Sequence, residues 1–126
     1  MKEKIKELEK IARRLEPGVE QRGEWNAKAQ QHADRFLDQL PEAKAFRTTE
    51  GKGREILELD IREKGRPLDQ LLAAVDRHVD HEGINPASGF HFGYVPGGGV
   101  FPSALGDYLG AVSNRYAGIF FANPGA

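Results

Sequence analysis

The narrow spread of apolar residues limits this fold more than any other feature. Ile5, Leu8, Ala12 and Leu15 recur at three- and four-residue spacing. That is a helical period, and it predicts an amphipathic helix over residues 2–15, ended by Pro17-Gly18. Trp25, Ala29, Ala33, Phe36, Leu37 and Leu40 make a second stripe over residues 20–40, stopped at Pro41. In a third helix Pro67 suits the first helical position. There Leu68, Leu71, Leu72, Val75 and Val79 share a face, with Gly83 as the stop. A fourth helix is expected from Pro102-Ser103, with Leu105, Tyr108, Leu109, Val112 and Tyr116 on its apolar face. Residues 42–66 are less regular, and Ile56, Leu57, Leu59 and Ile61 predict a short extended segment. Residues 84–101 read as loop. Each helix buries one stripe, yet no single core unites them. Stripes this narrow suit helices lying on a partner. The expectation is a mainly α chain whose missing burial a homodimer supplies.

Composition narrows the partners. The chain has 126 residues, one domain at most by length. Its 18 Lys plus Arg stand against 19 Asp plus Glu, a net charge of -1. That balance points neither to nucleic acid nor to an anionic membrane. The absence of cysteine excludes disulfides, thiolate metal sites and thiol nucleophiles. No apolar run approaches the roughly 18 residues of a spanning helix. The opening MKEKIKELEK lacks the apolar centre of a signal peptide. A cytoplasmic protein is expected.

The stretch HFGYVPGGGVFPSALGDYL, residues 91–109, carries the most unusual chemistry. Its three glycines could cradle a phosphate before a helix N-terminus. They could form a loop that needs unusual backbone angles. They could also be a wall pressed against a ligand or neighbouring subunit. A phosphate loop needs Lys-Ser or Lys-Thr after the glycines, and Val100-Phe101 follows instead. His78 and His81 are three apart on the third helix, but no third metal ligand is placed beside them. His32 reads as an edge residue of the second helix, and His91, between Phe90 and Phe92, as the histidine best suited to a pocket. Ser88, Ser103 and Ser113 lack the GxSxG elbow of a nucleophile. Asp107 lies early in an apolar helix, where the dipole favours a carboxylate. These residues assemble neither a catalytic set nor a metal site.

The run NPASGFHFGYVPGGGVFPSALGDYLGAVSNRYAGIFFANPGA, residues 85–126, resembles the N-terminal part of the pyridoxal-phosphate-dependent amino-acid decarboxylases of the aromatic-amino-acid decarboxylase group. The resemblance is specific over about a third of the chain. It implies the helical N-terminal segment of an α/β, aspartate-aminotransferase-like (fold-type I) homodimer. Residues 1–83 would be the dimerisation arm. Residues 84–126 would be a pocket loop and a helix leading into a large domain outside this sequence. On that resemblance Tyr94, Val95, Pro96 and Gly97 line the substrate pocket, and Tyr116 and Gly118 reach into the partner's pocket. Gly97 departs from the hydroxyl residue of related enzymes, and Gly118 from a bulkier one. The substrate would be an amino acid. The cofactor, pyridoxal 5'-phosphate, would be held by a lysine, a histidine and an aspartate that this chain does not contain. The rival expectation is a stand-alone helical interaction module without enzymatic activity.

Overall fold

A computed structural model describes residues 1–94 and 97–125. The protein is mainly α. In chain order it runs α1 (Lys2–Ala12), α2 (Val19–Gln39), β1 (Phe46–Arg47), α3 (Leu68–Val75), β2 (Gly83–Ile84) and α4 (Phe101–Ser113). It divides into two compact units, Met1–His91 and Phe92–Ala126.

In the first unit, α1 is a free-standing amphipathic helix. Ion pairs Lys6–Glu3 at 3.3 Å and Arg13–Glu9 at 2.7 Å lace its polar side. Ile5, Leu8 and Leu15 stay exposed on the other. Gly18 opens α2, and the Arg22 guanidinium donates to the Pro17 carbonyl at 2.8 Å. Along α2, Lys28, His32, Phe36 and then Leu40 are half-buried at four-residue steps, so they share a face. That face meets α3.

The third helix departs from expectation after Val75. The chain widens into π-helical turns over Asp76–Asp80, and the His81 N–H donates to the Asp76 carbonyl at 3.1 Å. Gly83 does not stop this helix. It enters β2 at φ 79° and pairs with Arg47, beside the antiparallel pair Phe46–Ile84. A side chain at such a φ is strained, so glycine suits the tight return from helix to strand. The extended segment expected over residues 56–61 is a 3-10 helix at Arg54–Glu58 instead. The cause lies just before it, where Lys52 and Gly53 take left-handed φ of 51° and 72°. That turn winds the chain. Leu57 and Ile61, 83% and 103% exposed, have no sheet to join.

Ser88 is buried, and it pins the loop after β2. Its hydroxyl donates to the Ala43 carbonyl at 2.5 Å and accepts from the Phe90 N–H at 3.1 Å. The Asn85 N–H donates to the Ala45 carbonyl at 2.9 Å, continuing the strand pairing.

In the second unit, Val100 precedes α4 and Pro102 sits in its first turn. Asn114 ends it in the left-handed region at φ 41°, its N–H on the Gly110 carbonyl at 2.9 Å. Tyr116, expected on the apolar face, therefore lies beyond the helix. Leu105, Tyr108, Leu109 and Val112 are all at least 50% exposed.

Among the described residues no apolar side chain is buried. The accessible surface is 11166 Å² for 14.0 kDa. A compact monomer of that mass exposes about 6,700 Å², and two separate units of the same total about 8,000 Å². Exposed apolar faces on α1 and α4 contribute to the excess.

Replacing Ser88 with Ala removes both loop hydrogen bonds. The expected cost is about 1–2 kcal/mol, read as faster proteolytic cleavage in residues 85–91 with helical content unchanged.

Candidate functional site

Two places hold the residues with chemistry, one in each unit. In the second unit, Val95 and Pro96 lie outside the described residues. Gly97, Gly98 and Gly99 do not take left-handed φ, and a Cβ built on any of them would meet nothing within 4 Å. Neither backbone angle nor packing within the chain demands glycine there. The expectation of unusual angles fails for these three residues, although Tyr94 beside them takes φ 60°. Farther along, the Tyr116 hydroxyl lies 2.6 Å from where a Cβ on Gly118 would sit. A larger residue at 118 would push the phenol aside.

In the first unit a cleft of about 270 Å³ opens beside α2. Its walls include Arg35, Lys44, Arg47, Asp76, Asp80 and His81. At its edge His32 Nε2 lies 2.9 Å from an Asp80 carboxylate oxygen, with side chains only 15% and 20% exposed. His81 Nδ1 lies 2.8 Å from the Asp76 carbonyl and 3.5 Å from its carboxylate. A carbonyl oxygen only accepts, so the Nδ1–H of His81 donates to it.

The sequence reading placed His32 at an edge and paired His78 with His81. The structure instead joins His32 to Asp76 and Asp80. The signal was present. His32 falls seven residues after Trp25 and four before Phe36, on the same stripe, and Asp76 and Asp80 continue the line of Leu68 and Leu72. Counting only apolar residues hid it.

A second charged contact ties the same two helices. Lys28 Nζ bridges Glu24 at 2.9 Å and Asp69 at 3.0 Å. Hydrogen bonding to Glu24, then to Asp69, raises the Lys28 ammonium above its ordinary range. Hydrogen bonding from Lys28, then its charge, holds the Glu24 carboxyl below the usual range. Lys28 is the one lysine in the chain that is not exposed. Its raised pKa is the reverse of what a nucleophilic amine needs.

The chain matches no family model, no curated protein and no solved structure. No helix among the described residues is long and apolar enough to cross a membrane.

The pH dependence of the Lys28 tie follows from these shifts. The lowered Glu24 carboxyl contributes stability above its unfolded value, lost as pH falls through the folded one. The raised Lys28 ammonium contributes below its unfolded value, lost as pH rises through the folded one. The tie is thus intact between about pH 5 and pH 10. Lys28→Met is expected to lower the thermal midpoint most near neutrality, with the gap narrowing at pH 3 and pH 11. Circular dichroism melts across that range check it.

Proposed function

We propose that this chain is the N-terminal portion of a pyridoxal-phosphate-dependent amino-acid decarboxylase, a cytoplasmic homodimeric carboxy-lyase of fold-type I. In it the segment supplies dimer contacts and part of the substrate-pocket wall. The observation that carries this reading is the uncovered apolar surface. Obligate dimer interfaces bury 2,000 Å² or more and resemble a domain core cut in half. An arm that crosses to a partner is built with apolar faces its own fold leaves bare, as α1 and α4 are.

The pocket assignment rests on the resemblance over residues 85–126, and the glycine run agrees with it. Glycines that no angle or internal neighbour requires suit a loop that something else approaches closely. Tyr94, Val95, Pro96 and Gly97 would form that wall, while Tyr116 and Gly118 would face the partner's pocket. Their task is positional. Holding the substrate's scissile bond in a productive direction is one part of the rate.

The chain's own residues do not fit the cofactor. Pyridoxal phosphate supplies an electron sink for carbanion formation, and it needs a lysine able to form a Schiff base. Lys28 is held as a cation between two carboxylates, and the other lysines are exposed. The cofactor and the catalytic residues would therefore come from sequence other than this.

The same bare faces also suit a stand-alone interaction module. Intact mass and visible spectrum of the protein from its natural source separate the two. A species much heavier than 14.0 kDa carrying a cofactor band is expected. A colourless species of 14.0 kDa, with a stop codon after Ala126, would overturn the decarboxylase reading in favour of the module.

In the whole enzyme, Tyr94→Ala is expected to raise KM for the amino acid several-fold and leave cofactor affinity unchanged. Steady-state kinetics beside a cofactor titration check this. Cofactor loss with unchanged KM contradicts the wall assignment.

A further inference from the structure

The cluster at the edge of the cleft has a use that the wall and the dimer arm do not absorb. One ligating atom each from His32, Asp76 and Asp80 can be chosen so that all lie within 4.8 Å of one another. We infer that these three side chains form a binding site for a divalent first-row transition ion, with Zn²⁺ the best fit.

The donor set selects the ion class. One imidazole and two carboxylates, with no thiolate, suit zinc and its neighbours. Calcium and magnesium take oxygen donors and gain nothing from the histidine. Geometry agrees. Donors on one tetrahedral zinc sit about 3.4 Å apart, given bonds of about 2.1 Å. The His32–Asp80 pair at 2.9 Å has to open slightly. With all separations within 4.8 Å, the widest has to close by no more than about 1.4 Å to reach that spacing, a shift within the range of a carboxylate rotation. Asp76, with 52% of its side chain exposed, has room to turn.

Local structure explains the convergence. In π-helical turns, residues four apart come nearly into line, so Asp76 and Asp80 face the same way. His32 arrives from α2 on its half-buried face. The ligands thus come from two elements that other contacts already hold together, which favours a preformed site.

Ion pairing divides these groups between two contacts: His32 and Asp80 satisfy each other, and the Asp76 carboxylate lies 3.5 Å from His81. Neither contact requires that Asp76 also lie within reach of His32 and Asp80. Arg35, Lys44 and Arg47 line the same cleft. Among the described residues, none of them forms an ion pair with Asp76 or Asp80. Three protein donors leave one position of a tetrahedral ion open. An anion or hydroxide could take that position, and the positive charge of Arg35, Lys44 and Arg47 in the same cleft would favour it. His81, beside the Asp76 carboxylate, would orient that ligand rather than bind. The inference does not depend on the decarboxylase reading.

The test uses the metal-free 126-residue chain, titrated with Zn²⁺ by calorimetry and with Co²⁺ by visible absorption. One ion per chain is expected, with the intense bands of tetrahedral Co²⁺ and no binding of Mg²⁺. Asp76→Asn should weaken Zn²⁺ at least tenfold while keeping the helical spectrum, because the His32–Asp80 contact stays. His32→Ala should do the same, and His78→Ala should change nothing. If His32→Ala unfolds, Asp76→Asn decides. Absence of Zn²⁺ binding by the unaltered chain overturns the site. So does undiminished binding by Asp76→Asn, or loss through His78→Ala, which would mark adventitious surface histidines.

Discussion

The first unit depends on a seam between α2 and α3 that is closed by charge as much as by apolar contact. Lys28 reaches Asp69, His32 reaches Asp80, and Phe36, Leu40, Leu68, Leu72 and Ala74 are the half-buried apolar residues beside them. Such a seam positions two helices without the large gain that a dry core provides. Exposed ion pairs are typically worth 0.2–1 kcal/mol each, far less than burying a row of leucines. The rest of the unit hangs from this frame. The two-residue strands, the pinned loop at Ser88 and the 3-10 turn at Arg54–Glu58 are all local closures of short segments.

The apolar residues that would ordinarily make a core look outward instead. In α1 the polar side is laced by internal ion pairs while Ile5, Leu8 and Ile11 remain more than half exposed. In α4 the whole helix carries one charge, Asp107, and Leu105, Tyr108, Leu109 and Val112 remain at least half exposed. A helix apolar on most sides is normally found inside something. A cofactor enzyme whose site lies between subunits would be one such setting.

Helix positions were legible from spacing because the apolar period is the physical cause of amphipathic burial. The starts and ends of α1, α2 and α4 fall close to where Pro17, Pro41 and Pro102 place them. Two features were not legible. Residues 54–58 carry a strand-like cluster of branched side chains, and two left-handed residues before them override that preference. The π-helical turns at Asp76–Asp80 have no composition signature, since they arise where the helix must meet β2 and Glu82 must reach the Thr49 N–H. The His32–Asp76–Asp80 grouping was half legible: each helix carries its polar residues on its apolar stripe, and only the pairing of the two helices lies beyond a single helical period. The proposed pocket roles of Tyr94 and Tyr116 rest on resemblance alone, since no spacing rule marks a wall.

The wide turns have a further consequence, for how the chain tolerates insertion and deletion. A π-helical stretch holds one residue more per hydrogen-bonded ring than an α-helix. Losing a single residue between Asp76 and Asp80 would close the wide turns to ordinary α-helical ones, with no loop to rebuild. A ring closed over five residues winds about as far as an α-helical ring over four, roughly one turn. The chain beyond would therefore keep its angular register, and Gly83 its partner Arg47. The extra residue is taken up inside the helix. The same loss inside α2, a regular α-helix, would instead turn everything beyond it by about 100°.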